Sequence, residues 1–330
     1  GVFYTIDPDV QYLSNSFSYI EKGKIQYDVH PGTPTIVLHA FAMWPLRIYA
    51  KLIEHQPFMT WVFNNVENVY YYIRIYQSIL LGISIGLFLL SIYIFSKSSV
   101  LLVSAWLGLF TYTVFPYFGS TIVPETTSLF LISLWLLVFS ISHQRLTFRN
   151  LLVLSIVSGI AVANKFSNLT LMPITALLVV YIPKLDIQKR LKHAVTSTLT
   201  MILFFFVATW PIRRSYAGLW SWVSVLASTT GTHGGGKRAI FDLSAYMASL
   251  GSLVHREWWS VLIVVVSLGS LLGMIAIKKV RIKDPISLMG FVALLAAIVY
   301  AKFPLSHYQL ANFTLILFVY PGSGISLPML

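Results

Sequence analysis

YYYIRIYQSILLGISIGLFLLSIYIFS, residues 70–96, is an almost unbroken apolar run. A helix needs about 20 such residues to cross the hydrocarbon core of a bilayer, so this segment predicts a membrane span. The 330-residue chain has the same character throughout, with 57% hydrophobic and 10% charged residues and a mean hydropathy of +0.76. Soluble domains carry about 25% charged residues. We therefore predict an all-α fold, a polytopic bundle of transmembrane helices.

Eight other segments have the apolar character of a span. They are residues 98–116, 122–142, 150–164, 165–183, 194–211, 259–277, 285–301 and 308–325. Residues 150–164 and 165–183 form an ambiguous pair, because Asn164 and Lys165 separate two short apolar runs. The chain has no cysteine, which excludes a disulfide framework and thiolate metal sites.

The connections between these spans differ in charge. Four short connections hold 11 of the 23 Lys and Arg residues with only two acids, a net charge of +9, whereas the longer remaining segments carry +3. The four are marked by Lys97, by Arg145 and Arg149, by residues 184–192, and by residues 278–283. The positive-inside rule places them in the cytoplasm. The opposite, outer face then holds residues 1–69, 117–121, 212–258 and 302–307. The overall charge of +12 is mostly explained by these cytoplasmic connections. It therefore does not indicate nucleic-acid binding, and we predict no nucleic-acid partner.

The predicted topology divides the chain into two units. Residues 1–69 are predicted to be an outer-face loop with an acidic motif and short interfacial helices, and residues 70–330 are predicted to be the helical bundle with its outer loop 212–258. Residues 1–6 show no n-region, h-region or cleavage site, and residues 321–330 follow an apolar run. We expect a fragment that lacks a first helix and a C-terminal region.

Residues 35–53 are apolar but are interrupted by Pro45 and flanked by basic residues. This pattern favours a helix at the membrane interface, with a true span as the alternative. In the preceding HPGTP turn, Pro31 and Pro34 disfavour helix and Gly32 permits a tight bend. We therefore expect the chain to leave the interface and enter the membrane at residue 35.

The polar groups that suggest chemistry all fall on the predicted outer face. They are the carboxylates Asp7, Asp9 and Glu125, together with His30, Lys165, Arg213, Arg214, Lys237, Arg238 and Arg256. Fixed cations hold a phosphate group and stabilise it as it departs. A carboxylate takes the proton of an incoming hydroxyl group. Together these groups fit an enzyme that uses an anionic, lipid-linked donor at the membrane surface.

Each candidate also has a structural alternative. The early acids can be solvated loop charges, and Arg213 and Arg214 end a predicted helix, where arginines reach for lipid headgroups. The glycines of THGGGKR, residues 232–238, fit a flexible linker, and the segment lacks a P-loop signature. Glu125 either caps a helix or serves the site, because a carboxylate so near hydrocarbon is costly unless paired or hydrated. His30 either faces a substrate or stabilises its turn.

Three motifs in order resemble a known family. They are DPDVQYLSNSFSYIEKGKIQYDVHPGTP at residues 7–34, VPETTSLFLISLWLLVFS at residues 123–140, and SGIAVANKFSNLTLMP at residues 158–173, with a weaker fourth, KFPLSHYQLANFTLILF, at residues 302–318. The chain resembles membrane glycosyltransferases of the GT-C superfamily that use dolichyl- or polyprenyl-phosphate sugars. Protein O-mannosyltransferases and lipid A aminoarabinose transferases belong to this group.

The resemblance implies an inverting sugar transfer from a polyprenyl-phosphate donor, on the outer or periplasmic face of the cell membrane. It implies that Asp9, three residues before Tyr12, is the general base, with Asp7 as helper or alternative. Pro8 separates the two acids, whereas the family usually has them adjacent. Separated acids are similar to those of metal-dependent oligosaccharyltransferases, so a divalent cation, Mg or Mn, at Asp7 and Asp9 stays open. The acceptor, whether protein, lipid or glycan, stays open too.

Two other functions fit the same charges. A transporter or flippase for lipid-linked substrates would place charges near the midplane in broken helices of two matching halves. No internal repeat is visible, and the charges cluster at one interface. A polymerase or ligase of lipid diphosphate-linked glycans would share the cations but would not need the early acids. Membrane lipids are expected neighbours in every case.

Overall fold

The computed structural model describes residues 9–25, 32–99, 118–183 and 185–229, and a few single positions beyond them. The structure is 88% helical, without a β-strand in these described residues. This confirms the predicted all-α class. The predicted spans 259–277, 285–301 and 308–325 lie outside the described residues, and so do about two thirds of span 98–116.

The described helices are numbered here in chain order. They are α1 (Asp9–Lys22), α2 (Thr33–Leu52), α3 (Phe58–Asn64), α4 (Val66–Ser96), α5 (Pro124–Ser142), α6 (Phe148–Asn164), α7 (Leu171–Leu177), α8 (Ile187–Thr209) and α9 (Tyr216–Ser228). Short 3-10 helices cover His143–Arg145, Phe166–Thr170, Leu178–Tyr181 and Trp210–Ser215.

Three described segments are long and apolar enough to cross a membrane. They are Val66–Ser96, Pro124–Ser142 and Ile187–Val225. They match the spans predicted at residues 70–96, 122–142 and 194–211, so the chain has the character of a membrane protein. The ambiguous pair is also helical, as Phe148–Asn164 and Phe166–Val180, but each member is shorter than a full span.

The predicted outer loop 212–258 begins differently from expectation. The chain passes from α8 through the 3-10 helix Trp210–Ser215 into α9, which ends at Ser228. Pro211 lacks the N–H that an α-helical ladder needs, so the chain tightens locally and then resumes as helix. The first part of this segment is therefore helical.

Helix α2 covers nearly all of the helix predicted over residues 35–53, and it corrects the expectation that Pro34 disfavours helix. Pro34 lies in the first turn of α2, where a missing N–H costs nothing because that donor has no intrahelical partner. Pro45 lies inside α2 and does not end it. It occupies the exposed side of the helix. Gly32 precedes the helix with φ of 137°, a conformation that favours glycine, as the predicted bend requires.

Two clusters of buried side chains hold the bundle together. One joins α5 and α6 with the segment that follows α6, around Trp135, Leu151 and Leu178. The other joins α1, α2 and α3 to the start of α4, and it includes Ile122 and Ile212. This second cluster brings the starts of α4 and α5 and the end of α8 together at one end of the bundle. We call this end of the bundle the Asn164 end, because Asn164 is the last residue of α6 there.

Candidate functional site

A buried amide joins three helices at the Asn164 end. Asn164 is 0% exposed. Its Oδ1 accepts hydrogen bonds from the backbone N–H of Thr35 (3.2 Å) and from Thr35 Oγ1 (2.6 Å). Its Nδ2 donates to the carbonyl of Pro124 (2.8 Å) and to Ser128 Oγ (2.9 Å). Since buried polar groups are costly unless satisfied, these four bonds fix the start of α2 and the start of α5 against the end of α6.

The neighbours of this amide form an ion pair. Lys165 Nζ lies 2.5 Å from Glu125 Oε1, and the two side chains are only 22% and 17% exposed. Glu125 follows Pro124 and Lys165 follows Asn164, so the bonds of Asn164 set the backbone on both sides of the pair. Partial burial strengthens the attraction relative to a surface pair.

The structure shows which groups surround the Glu125 carboxylate. The start of α5 has no side-chain cap, and Glu125 Oε1 instead accepts from Lys165. Its second oxygen, Oε2, is buried and has no hydrogen-bond partner within the described residues. Glu125 is therefore a paired carboxylate in the first turn of α5, and both interpretations of its role stay open.

The turn after Lys165 is also fixed by hydrogen bonds. Asn168 Nδ2 donates to Ser128 Oγ (3.1 Å) and to the carbonyl of Ala161 (2.8 Å). It lies in the 3-10 helix Phe166–Thr170, which packs on α6 and the following helix. Asparagines on both sides of Lys165 therefore hold its backbone, which pre-organises the position of the ammonium group.

The acidic motif meets this end of the bundle through Tyr12. Helix α1 begins at Asp9. Three residues later, Tyr12 packs so closely on Gly32 that a Cβ there would lie 2.5 Å from the tyrosine ring. Gly32 directly precedes α2, and Thr35 in the first turn of α2 binds Asn164. The start of α1 is thus linked to Asn164 by consecutive contacts. Asp7, His30 and the side chain of Asp9 lie outside the described residues.

The six basic residues that could bind a donor phosphate fall into three groups. Lys165 belongs to the candidate site. Arg213 and Arg214 are exposed beside the buried Ile212 of the same core cluster, and the guanidinium of Arg213 stacks 4.8 Å over the ring of Trp210. That stacking fits the lipid-interface alternative, and the described contacts do not join either arginine to the ion pair. Lys237, Arg238 and Arg256 lie outside the described residues.

Sequence reasoning missed several buried polar groups. In the sequence, Asn164 marks only a break between apolar runs, although its position beside Lys165 is a usable signal. Arg74 lies within the membrane span α4 with its guanidinium 4.6 Å over the ring of Tyr70. An ionisable residue inside a predicted span is itself a signal of a site. His39 of α2 and Gln77 of α4 are each 0% exposed.

The described residues contain no cluster of three or more His, Asp or Glu side chains that could hold a metal ion. The predicted Mg or Mn site at Asp7 and Asp9 lies outside that search, so it stays a prediction.

Comparison with protein-family models, curated proteins and solved structures finds no match to this chain. The resemblance to GT-C glycosyltransferases therefore rests on the sequence motifs alone. Two of those motifs supply Glu125 and Lys165, which the structure brings into contact.

Proposed function

We propose that this protein is a membrane glycosyltransferase that moves a sugar from a polyprenyl-phosphate donor to an acceptor hydroxyl on the non-cytoplasmic face. The observation that carries the proposal is the partly buried Glu125–Lys165 pair, held at the helix ends by Asn164. In this proposal, the phosphate of a membrane-embedded lipid binds at this fixed cation.

Lys165 is the proposed phosphate ligand. The prenyl tail of the donor stays in the bilayer, so its phosphate lies near the ends of the spans. The Glu125 carboxylate occupies the anion position at Lys165 in this structure. The donor phosphate takes the place of that carboxylate, and charge-assisted hydrogen bonds to a partly desolvated ammonium are among the strongest in proteins.

Asp9, with Asp7 as helper or alternative, is the proposed general base. The acceptor hydroxyl attacks the anomeric carbon from the face opposite the phosphate, and its proton passes to the aspartate carboxylate. The bond between the anomeric carbon and the phosphate oxygen breaks, and the polyprenyl phosphate leaves with the bonding electrons. A cation at the phosphate stabilises the charge that develops there. The start of α1, linked through Tyr12 and Gly32 to the Asn164 end, supports this arrangement.

Substitution of Lys165 tests the phosphate role. In the full chain reconstituted into lipid, we expect Lys165→Met to weaken binding of polyprenyl phosphate by roughly 10- to 150-fold, the equivalent of about 1.5–3 kcal/mol for a hydrogen bond to a charged group. Lys165→Arg keeps the charge and should restore part of the affinity. Equilibrium binding of a labelled lipid measures both.

Lys189→Met is the matched control, because Lys189 also pairs with a carboxylate, that of Asp186 at 3.1 Å, but near the start of α8. Its affinity should equal that of the wild type. Unchanged affinity and unchanged transfer in Lys165→Met would contradict the proposal. Accumulation of donor across the vesicle membrane without transfer would instead favour the transporter.

A further inference from the structure

An apolar groove lies beside the last turns of α4. Its volume of about 430 Å³ is within the range of ligand-binding clefts, roughly 300–1,000 Å³. Helix α4 forms one wall, and the segment that follows α4 in the chain forms the other. The lining residues are Leu89, Leu90, Tyr93, Leu102, Val103 and Trp106. We call this feature the α4 groove.

Packing holds the second wall of the α4 groove against α4. Ala105, the neighbour of Trp106, packs on the buried side chains of Phe88 and Ile92. The two walls are therefore in contact. Four of the large lining side chains are nevertheless between 45% and 53% exposed: Leu90, Tyr93, Val103 and Trp106. The α4 groove is thus an apolar surface that the described residues leave about half exposed.

The α4 groove lies next to the predicted cytoplasmic border of the membrane. The carbonyl of Tyr93 accepts the backbone N–H of Lys97 (2.8 Å), so Tyr93 is one helical turn inside the end of α4. Lys97 marks one of the short basic connections that the positive-inside rule places in the cytoplasm. Tyrosine is common at this depth, where its ring meets hydrocarbon and its hydroxyl meets the headgroups. In a bilayer, the apolar walls of the groove therefore face lipid chains.

The border of the α4 groove carries positive charge. Lys97 is exposed and ends α4 in a left-handed turn with φ of 52°. The ring centroids of Phe95 and His143 are 4.7 Å apart, so the end of α5 adjoins the end of α4, and the exposed Arg145 follows two residues after His143. Neither Lys97 nor Arg145 forms an ion pair with another described residue. Both charges are therefore available to an anion.

We infer that the α4 groove holds one acyl chain of an anionic phospholipid of the cytoplasmic leaflet, with the lipid phosphate bound by Lys97. The apolar walls fit the chain, and the exposed cation at the border fits the headgroup. Basic sites between transmembrane helices on the cytoplasmic side bind anionic lipids by the same combination. An empty groove would lose the dispersion contacts that a chain provides. Residues 278–283, which follow the predicted span 259–277, are basic and would repel Lys97, so charge favours a lipid over that span.

Photo-crosslinking of the full chain in phosphatidylcholine vesicles tests whether the groove selects a headgroup. Two lipids with the same photoreactive acyl chain are compared, phosphatidylglycerol and phosphatidylcholine, and mass spectrometry identifies the labelled peptides. We expect phosphatidylglycerol to label the lining residues about fivefold more, which corresponds to ~1 kcal/mol for one basic side chain near an anionic headgroup. Equal labelling by the two lipids would overturn the inference. Absence of labelling from either lipid would show that another part of the chain fills the groove, and it would overturn the inference too.

Lys97→Gln tests the phosphate ligand. This variant should lose the preference for phosphatidylglycerol and keep the labelling by phosphatidylcholine. Lys192→Gln is the matched control, because Lys192 is an exposed lysine of α8 on the same predicted face, and α8 does not line the α4 groove. The control should keep the wild-type preference. An equal loss in both variants would show only a general attraction between basic residues and anionic lipid, and the inference would fail.

Leu90→Trp tests the place of the acyl chain, because the larger side chain fills part of the α4 groove. Labelling of the lining residues by both lipids should fall several-fold. Ile83→Trp is the matched control, since Ile83 is 49% exposed on the same helix but does not line the groove. Thermal unfolding verifies that both variants fold. Wild-type labelling in Leu90→Trp would contradict the inference. Because the site does not depend on sugar transfer, failure of the proposed function would leave each of these outcomes unchanged.

Discussion

Asn164 is the residue on which the geometry of the candidate site depends. It satisfies two donors of Thr35 and two acceptors on α5 from a fully buried position. The two residues of the ion pair follow directly in sequence from Asn164 and from Pro124. A change of the amide should therefore disturb the site without touching either charged group.

We expect Asn164→Leu, which keeps the approximate volume, to lower the free energy of unfolding by about 2–5 kcal/mol, because it leaves partners at Thr35, Pro124 and Ser128 buried and unsatisfied. Chemical unfolding of the purified protein in detergent measures this change. The control is Asn68→Leu, since Asn68 is exposed and bonds only weakly to Asn65. Equal stability of the two variants would contradict the role of Asn164.

Asp186 shows how a single carboxylate makes stability depend on pH. It caps the start of α8, and the backbone N–H of Lys189 donates to it (2.7 Å), which lowers the pKa of Asp186 below its usual value. A lowered pKa in the folded state adds stability above the unfolded-state pKa, and this stability is lost as pH falls through the folded-state pKa.

The midpoint of chemical unfolding, measured at several pH values from neutral to acidic, therefore tests how much the Asp186 carboxylate contributes to stability. Asp186→Asn retains an acceptor but cannot titrate, so the part of the acid sensitivity due to this residue should disappear. Asp186→Ala should be less stable than the wild type at neutral pH, because the cap is lost. A wild-type pH profile in Asp186→Asn would show that this carboxylate does not contribute.

At the scale of the element, α6 and α8 approach each other at Gly159. A Cβ at Gly159 would lie 2.3 Å from the carbonyl oxygen of Met201 and 3.1 Å from the backbone N of Phe205. The hydroxyls of Ser155 and Ser197 bond across the same interface at 2.8 Å. Small residues that allow close backbone approach are typical of packed membrane helices.

We expect Gly159→Ala to destabilise the protein by about 1–3 kcal/mol, because the added methyl group forces α8 away from α6. Gly82→Ala in α4 is the matched control, since nothing lies within 4 Å of a Cβ there. That change should be neutral or stabilising, because alanine favours helix over glycine. Thermal unfolding of both variants measures the difference, and a stable Gly159→Ala would refute the close packing.

The helices differ in how far the sequence could predict them. Long apolar runs predicted α4 and α5 well, because length and composition alone define a span. The predicted span 194–211 begins seven residues after the start of α8, because the first two turns of α8 are polar and begin at the cap of Asp186. The contacts of Asn164 could not be predicted, since they depend on how three separate helices meet. The motifs suggested Glu125 and Lys165 singly, but only the fold pairs them.

At the scale of the whole molecule, the four short basic connections predict the orientation in the membrane. Because the chain has no cysteine, a single introduced cysteine reports its side without interference. Thr60 of α3 and Gln188 of α8 are both exposed and lie on opposite predicted faces. We expect an impermeant thiol reagent to label Thr60→Cys in intact cells. Gln188→Cys should react only after the membrane is permeabilised. Labelling of both from one side would contradict the topology.

The most direct test of the central claim is sugar transfer by the reconstituted full chain. A panel of labelled polyprenyl-phosphate sugars is offered to the wild type and to Asp9→Asn, with donor binding measured in parallel. The account predicts transfer from one donor, a loss of about 10²–10⁴-fold in Asp9→Asn, and unchanged donor binding in that variant. No transfer from any donor by the wild type, or transfer by Asp9→Asn at the wild-type rate, would contradict it.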